Sequence, residues 1–245
     1  MKTKHQTVQV LTAGQMKELI SAVAEGIPSN LSQENAQYWI GNKRKLAKEI
    51  RKVLVGQEEN QHLDLIQCWQ HFWHKITGQE YDFSTLRIPT KPEGNWRLLV
   101  IADILLETLY VECQKRFPCW RWTGRNLDQI VTKNERSAKD SSYAIWVKDE
   151  VEADENLKNL SANGIKSQNL TTETLAERLI HELKFFDETS QHLDVKNITL
   201  CAGSRDDDGS VPDVYWNQSS GEVSVDWDHP DGRDGNLRAR QAVSV

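Results

Sequence analysis

The segment Leu170–Thr189 has a single apolar helical face, and such a face has to be covered by other elements of the fold. Its large apolar side chains recur at helical spacing: Leu175, Leu179, Leu183, Phe186. A strand pattern follows at Asn197–Cys201, and Glu222–Trp227 alternates strictly between polar and apolar residues. The four residues Gln218–Gly221 suit a turn before that alternation, so we predict a C-terminal β-hairpin.

The middle of the chain mixes helical and strand patterns. After a connector beginning at residue 57, an aromatic helix is predicted at Leu63–Ile76. Leu98–Ala102 is predicted as a buried strand followed by a helix to Phe117, although one continuous helix from Trp96 also fits a short apolar run. Cys119–Trp122 and Tyr143–Val147 have strand patterns, and the polar interval 126–142 is predicted as a loop. Because helices and strands do not alternate regularly, the expected class is α+β.

A change in charge near residue 57 divides the chain. Residues 1–56 hold nine Lys and Arg against four Asp and Glu, whereas residues 57–245 hold 21 against 32. We therefore predict a basic three-helix segment at 1–56 and an acidic α+β domain at 57–245. The helices are expected from Thr12, which forms a capping box with Gln15, to Gly26, from Ser32 to Gly41, and from Asn42 to Gly56.

The third of these helices separates apolar from basic residues. Its apolar stripe contains Leu46, Ile50, Val53, Leu54. The opposite face gathers five cations: Arg44, Lys45, Lys48, Arg51, Lys52. Such a face suits a row of nucleic acid phosphates, and a solvated helix surface is the alternative interpretation. The helix–Gly41–helix arrangement is loosely similar to a helix-turn-helix, but so many cations indicate phosphate positioning more than base recognition.

Two acidic loops lie at predicted strand ends. Between Gly203 and Asn236 the chain carries nine acidic residues and two basic ones. If the loops converge, they would supply oxygen ligands to Mg²⁺, Mn²⁺ or Ca²⁺. The candidate ligands are Asp206, Asp208, Asp226 and Asp228, with Arg205 as an anchor for an anionic substrate. Ordinary solvated turns are the alternative, because neither loop matches the calcium-binding loop pattern.

Several catalytic motifs are excluded by spacing. His181–Glu182 lies in the best helix, but Phe185 occupies the position where a zinc protease requires its second histidine, and His181 is expected on the exposed polar face. Ser204 lacks the glycine pattern of a nucleophile elbow. The chain contains no Walker or dinucleotide glycine fingerprint.

The cysteines and tryptophans favour structural roles. The four cysteines have no metal-knuckle or redox spacing and are expected to be free and buried, and only Cys119, near Arg116 and Arg121, has a basic setting.

Of the nine tryptophans, the strand-pattern residues Trp120 and Trp122 are expected to share a face. Core packing is the favoured interpretation of the set that also includes Trp216 and Trp227, and an exposed stacking surface is the alternative.

The sequence shows neither a membrane span nor a secretory signal. Its longest apolar stretch, Leu98–Leu109, is interrupted by Asp103 and Glu107, and Met1–Val10 lacks an apolar core. A soluble cytoplasmic protein is therefore expected, with no membrane partner.

Parts of the chain are similar to a group of uncharacterised bacterial proteins. The segments that carry the resemblance span most of the chain: Gly26–Pro28, Ala36–Lys43, Val151–Glu155, Leu200–Arg205, Asp208–Pro212. The resemblance implies a bacterial, cytoplasmic setting and no activity, cofactor or site.

The leading hypothesis is a non-catalytic, cofactor-free protein that binds nucleic acid through its basic helix. The alternatives are a divalent-metal-dependent enzyme acting on an anionic substrate at the carboxylate loops and a protein–protein adaptor that uses the aromatic surface and the acidic domain.

Overall fold

The computed structural model of the protein describes residues 11–139 and 141–245, except for the side chains of residues 55–63. Met1–Val10, where the absence of a signal sequence is predicted, lies outside the described residues. The chain divides into two compact units, with the boundary between Gln61 and His62. The first unit is helical and the second combines helices with mixed sheets, so the α+β prediction is confirmed.

Three helices begin in the first unit: α1 (Ala13–Glu25), α2 (Gln33–Gly41) and α3 (Lys43–Thr77). The capping box that the sequence predicts is present, because the Thr12 hydroxyl accepts from the Gln15 amide at 3.3 Å and the Thr12 amide donates to Gln15 Oε1 at 2.9 Å. Ser32 caps α2 by accepting from the Asn35 amide at 3.2 Å.

Helix α3 is one element of 35 residues, which corrects the sequence analysis. It continues through Gly56, so the predicted connector is wrong, whereas the helix predicted at Leu63–Ile76 is present as the C-terminal part of α3 rather than as a separate element. A glycine inside a helix costs only about 1 kcal/mol relative to alanine. The next residues, Gln57, Glu58 and Glu59, are of types that favour helix, so the pattern after Gly56 permits continuation.

The second unit contains the remaining elements: β1 (Trp96–Ile101), α4 (Leu106–Gln114), β2 (Cys119–Arg121), α5 (Leu127–Ile130), β3 (Lys133–Asn134), β4 (Tyr143–Lys148), a 3₁₀ turn (Glu155–Leu157), α6 (Ala162–Ser167), α7 (Leu175–Thr189), β5 (Ile198–Leu200), β6 (Ser204–Arg205), β7 (Val211–Asn217), β8 (Glu222–Asp228), β9 (Leu237–Arg238), β10 (Ala242–Val243). Strand β1 confirms the strand interpretation of the apolar run after Trp96. The interval 126–142 is not entirely a loop, because α5 and β3 lie within it.

The strands form three sheets. One has the order β1-β4-β10, a second has the order β2-β8-β7-β5-β9, and β3 pairs with β6. The predicted C-terminal hairpin is confirmed, because β7 and β8 are antiparallel with Asp213 opposite Asp226, and Gly221 closes the turn with a φ of 69°. A positive φ of this size favours glycine at that position.

Helix α7 packs against α4, β1 and β7, and supplies the centre of the core. Leu175, Leu179 and Leu183 are fully buried on it. The helix begins at Leu175 rather than Leu170, because Thr174 and Glu177 form a capping box there. Among the described helices, none combines the length and the apolar character that crossing a bilayer requires.

Candidate functional site

The five predicted cations lie on the outward face of α3. Arg44, Lys45, Lys48 and Lys52 are exposed and Arg51 is half-buried. At about 100° per residue they fall within a third of the helix circumference. Leu46 and Ile50 point the other way, into a groove between the helices of the first unit. The α3 surface formed by these five residues, here called the basic face, is therefore available to solvent.

Two members of the basic face have defined partners. Lys45 Nζ lies 2.6 Å from the Tyr38 hydroxyl and 5.3 Å from the centre of its ring. This hydrogen bond raises the pKa of Lys45, so the ammonium stays charged at neutral pH. Lys52 Nζ pairs with Glu49 Oε1 at 2.9 Å. Exposed pairs contribute little free energy, so such a pair gives way readily to a phosphate.

An apolar groove of about 880 Å³ runs between α1, α2 and the start of α3. None of the residues of α1 and α2 is buried, and groove residues such as Ile40 and Val53 are 58% and 84% exposed. The lining is almost wholly apolar: Leu19, Ala22, Val23, Gly26, Ile27, Pro28, Leu31, Ala36, Trp39, Ile40, Lys43, Leu46, Ile50, Val53, Leu54. The groove was not predicted from the sequence, because an apolar stripe predicts burial without revealing whether three short helices can close over it.

Members of both predicted acidic clusters line one pocket, although the second cluster contributes from strand β8 rather than from a loop. Asp206 and Asp208 from the loop before β7, and Asp226 from β8, line one open pocket of about 470 Å³. Trp122 and Arg125 from the segment after β2 form another wall of this carboxylate pocket. Trp120 and Trp122 are 39% and 71% exposed, so the prediction that the tryptophans belong to the core fails for these two residues. Trp122 lies just beyond the end of β2, and its amide donates to the Val225 carbonyl of β8 at 3.1 Å.

Two residues of the predicted metal and substrate set lie outside the carboxylate pocket. Arg205 Nη1 donates to the carbonyl oxygens of Ala202 and Ser204, both at 2.7 Å, so its guanidinium is engaged with backbone. Asp228 accepts from the amide of His229 at 2.8 Å. In the described ranges 11–139 and 141–245, no group of three or more acidic, histidine or cysteine side chains has metal-holding geometry.

A buried carboxyl group lies next to this pocket. Asp213 on β7 is directly opposite Asp226 on β8, is 7% exposed, and its Oδ1 has no hydrogen-bond partner. Burial, together with the charges of Asp226 and Asp228, raises the pKa of Asp213 well above its ordinary value, which favours the protonated acid. Asp213 was not predicted as a site residue. The one signal for it in the sequence was its register position opposite Asp226 in the predicted hairpin.

His181 is fully buried, so the expected exposed position is wrong. Its Nδ1 lies 3.0 Å from Glu173 Oε1. Helix α7 is covered on its charged side as well as its apolar side, and Glu177, Arg178 and Glu182 are also fully buried there. Helical periodicity identifies the more apolar face, but it does not reveal that a second layer with matching charges covers the other face.

Buried ion pairs connect α7 to the loop that follows it and to the strand region near β10. Arg178 Nε donates to Asp194 Oδ2 at 3.0 Å and Nη1 donates to Glu182 Oε2 at 2.8 Å. Arg178 Nη2 is 2.8 Å from Asp194 Oδ2 as an ion pair without hydrogen-bond geometry. Arg240 Nη2 donates to Asp194 Oδ1 at 2.6 Å. Asp194 therefore pairs with two buried guanidinium groups, and this arrangement indicates a structural role for Asp194.

The candidate nucleophiles are held in inert settings. Burial, followed by the charges of Glu182 and Glu222, raises the pKa of Cys119 to about 12. A thiol of this kind is not a thiolate at neutral pH. Cys113 and Cys201 are buried as predicted, whereas Cys68 is exposed. The buried Ser204 hydroxyl donates to Asn134 Oδ1 at 2.6 Å and accepts from an α7 amide.

In comparisons with protein-family models, curated proteins and solved structures, no match to this chain was found. The candidate sites therefore stand on the geometry and charge of the chain itself.

Proposed function

We propose that this chain is a non-catalytic binding protein that contacts nucleic acid phosphates through the basic face of α3. The observation that carries the proposal is that five cations share one outward helical face while the apolar side chains of the same helix point into the groove. Contacts of Lys and Arg with phosphate oxygens position a protein on nucleic acid without reading base edges. The proposal therefore predicts affinity that depends strongly on salt and weakly on nucleotide sequence.

A charge-neutralised variant tests this function. Changing the five residues of the basic face to glutamine is expected to weaken binding to labelled duplex DNA and single-stranded RNA at least tenfold, because the released counterions supply most of such affinity. On the duplex, the slope of log affinity against log salt should decrease in magnitude by about four. Fluorescence anisotropy across a salt series measures both quantities.

The matched control removes the same charge elsewhere. Five exposed lysines of the second unit are changed to glutamine: Lys133, Lys139, Lys158, Lys166, Lys196. This control is expected to retain the affinity and slope of the unaltered chain. Equal weakening in both variants would show that net charge alone matters, and unaltered binding in the basic-face variant would refute the proposal.

A second candidate function is metal-assisted chemistry on an anionic substrate in the carboxylate pocket. It is favoured by the convergence of Asp206 and Asp208, from the loop before β7, with Asp226 on strand β8. The side-chain arrangement has no ready cation geometry, so this candidate requires the carboxylates to rearrange around the ion.

Calorimetric titration with Mg²⁺, Mn²⁺ and Ca²⁺ distinguishes this candidate from the first. If the pocket holds a divalent cation, binding heat is expected for the unaltered chain and is lost in the Asp206→Asn, Asp226→Asn double variant. The control is Asp231→Asn, an exposed acid outside the pocket. Absence of heat and of any thermal shift would remove the metal-dependent enzyme as a candidate.

A further inference from the structure

The apolar groove of the first unit is too large to be an incidental surface feature. Scattered exposed apolar residues are normal, but large contiguous apolar patches are typical of interaction sites and ligand-binding grooves. Here fifteen described residues line about 880 Å³, and Lys43 is the single charged one among them. The three helices diverge enough that none of the residues of α1 and α2 reaches core burial. The groove has the apolar composition of grooves that accept the apolar face of an amphipathic helix.

The charge at one end of the groove indicates which helix it accepts. A shallow hollow of about 530 Å³ adjoins it and shares Ile40 and Lys43 with its lining. Arg44 and Lys45 complete the hollow, so three consecutive cations lie at this end. Among the residues whose side chains the structure describes, the groove lining contains no acidic one.

These cations occupy an unfavourable place on their own helix. They form the first turn of α3, which contains no acidic residue. The N-terminal end of a helix carries partial positive charge and is normally stabilised by Asp or Glu. Three cations there repel both one another and the helix dipole. Carboxylates supplied by a bound partner would relieve that repulsion, which gives an acidic ligand an advantage over a neutral or basic one.

We propose that the groove binds an amphipathic helix of another protein, with apolar residues at spacings of three and four and with glutamate or aspartate near the Lys43 end. This interaction goes beyond the proposed nucleic acid binding. It uses the apolar side of α3, whereas phosphate binding uses the basic face. Because Arg44 and Lys45 belong to both surfaces, the test leaves those two residues unchanged.

The probes are two labelled synthetic helical peptides with the same leucine positions. One carries a cluster of glutamates at one end and the other carries lysines in their place. Fluorescence anisotropy with the full chain is expected to give at least tenfold tighter binding for the glutamate peptide. The Ile40→Ser, Val53→Ser variant should weaken that binding at least tenfold. Both residues are already more than half exposed, so little folding free energy is at risk.

The matched control changes two equally exposed apolar residues outside the groove, Ile20→Ser and Leu105→Ser, which are 62% and 65% exposed. It should bind the glutamate peptide normally. A charge reversal, Lys43→Glu, should weaken binding of the glutamate peptide and strengthen binding of the lysine peptide. This variant tests the charge without any apolar substitution. Duplex DNA affinity of the Ile40→Ser, Val53→Ser variant should stay within twofold, so failure of the groove and failure of the basic face are separable.

Three results would overturn the proposal. One is equal affinity for the two peptides, and another is no binding of either peptide up to about 1 mM, which is the range of very weak association. The third is a dimer in sedimentation velocity that dissociates in the Ile40→Ser, Val53→Ser variant, which would make a second copy of this chain the occupant.

Discussion

Replacing Asp194 by asparagine is expected to lower the free energy of unfolding by about 3–5 kcal/mol, because removal of one partner leaves a buried charge uncompensated. The carboxylate accepts from Arg178 and Arg240, and all three side chains are buried. An amide in its place carries no charge and turns one donor toward a guanidinium donor. Urea denaturation at pH 7, followed by circular dichroism, measures the change.

An exposed ion pair provides the control. Arg125 Nη2 lies 2.7 Å from Asp207 Oδ2, with side chains 57% and 43% exposed. Asp207→Asn should change the stability by about 1 kcal/mol or less, since exposed pairs contribute little. Should Asp194→Asn prove as mild as Asp207→Asn, the buried network would not stabilise the second unit as its geometry indicates.

The stability of the unaltered chain should fall by about 2 kcal/mol between pH 6.5 and pH 8 through Glu173 alone, since each pH unit is worth about 1.4 kcal/mol per proton. Burial raises the pKa of Glu173 to about 8, partly offset by the charges of Arg240 and Arg178. The folded chain therefore keeps a proton that the unfolded chain loses above its usual carboxyl pKa. Folding binds a proton in this window, so stability decreases as the pH rises.

His181 acts in the opposite direction at lower pH. Burial, followed by the charges of Arg240 and Arg178, lowers the pKa of His181 well below its ordinary value of 6.5. Below that value the unfolded chain binds a proton at His181 and the folded chain does not, so stability rises with pH. The changes of stability with pH that Glu173 and His181 cause oppose each other between the unfolded carboxyl pKa and pH 6.5. Of these two contributions, only that of Glu173 still changes the stability above pH 6.5.

Glu173→Gln isolates the effect. The variant keeps an oxygen beside His181 Nδ1 but cannot ionise, so the difference between its stability and that of the unaltered chain should grow in its favour from pH 6.5 to 8. Glu155→Gln is the control, because Glu155 is exposed and Arg238 lowers rather than raises its pKa. Parallel stability curves for Glu173→Gln and the unaltered chain would mean that Glu173 is already ionised in the folded protein.

Local patterns predicted local structure. The Thr12 capping box and the β7–β8 hairpin depend on residues that are close in sequence, and both are present. The continuation of α3 through Gly56 could not be predicted, since a glycine that ends a helix and one that lies inside it look alike. The burial of His181 depends on Glu173, Arg178 and Arg240 meeting around one helix, which is a tertiary event without a periodic signature.

The same distinction applies to the candidate sites. The approach of Asp206 to Asp226 was left open by the sequence and follows from the β7–β8 pairing, because the Asp206 loop leads into β7 and Asp226 lies on β8. The diversion of Arg205 to backbone carbonyls was not predictable, because it depends on the local course of the chain. The presence and size of the groove depend on how closely α1, α2 and α3 approach one another. The sequence indicates only that each of these helices has an apolar side.

The parallel pairing of β2 with β8 has a consequence for the order of folding. The β7–β8 hairpin closes across a four-residue turn, whereas Cys119 meets Val223 across about a hundred residues of chain. A contact that closes so long a loop forms slowly, after local contacts have been made. We therefore expect Trp122 and Asp226, which line the carboxylate pocket, to come together late in folding. Completion of this pocket would then indicate that the sheet containing β2 and β8 has formed.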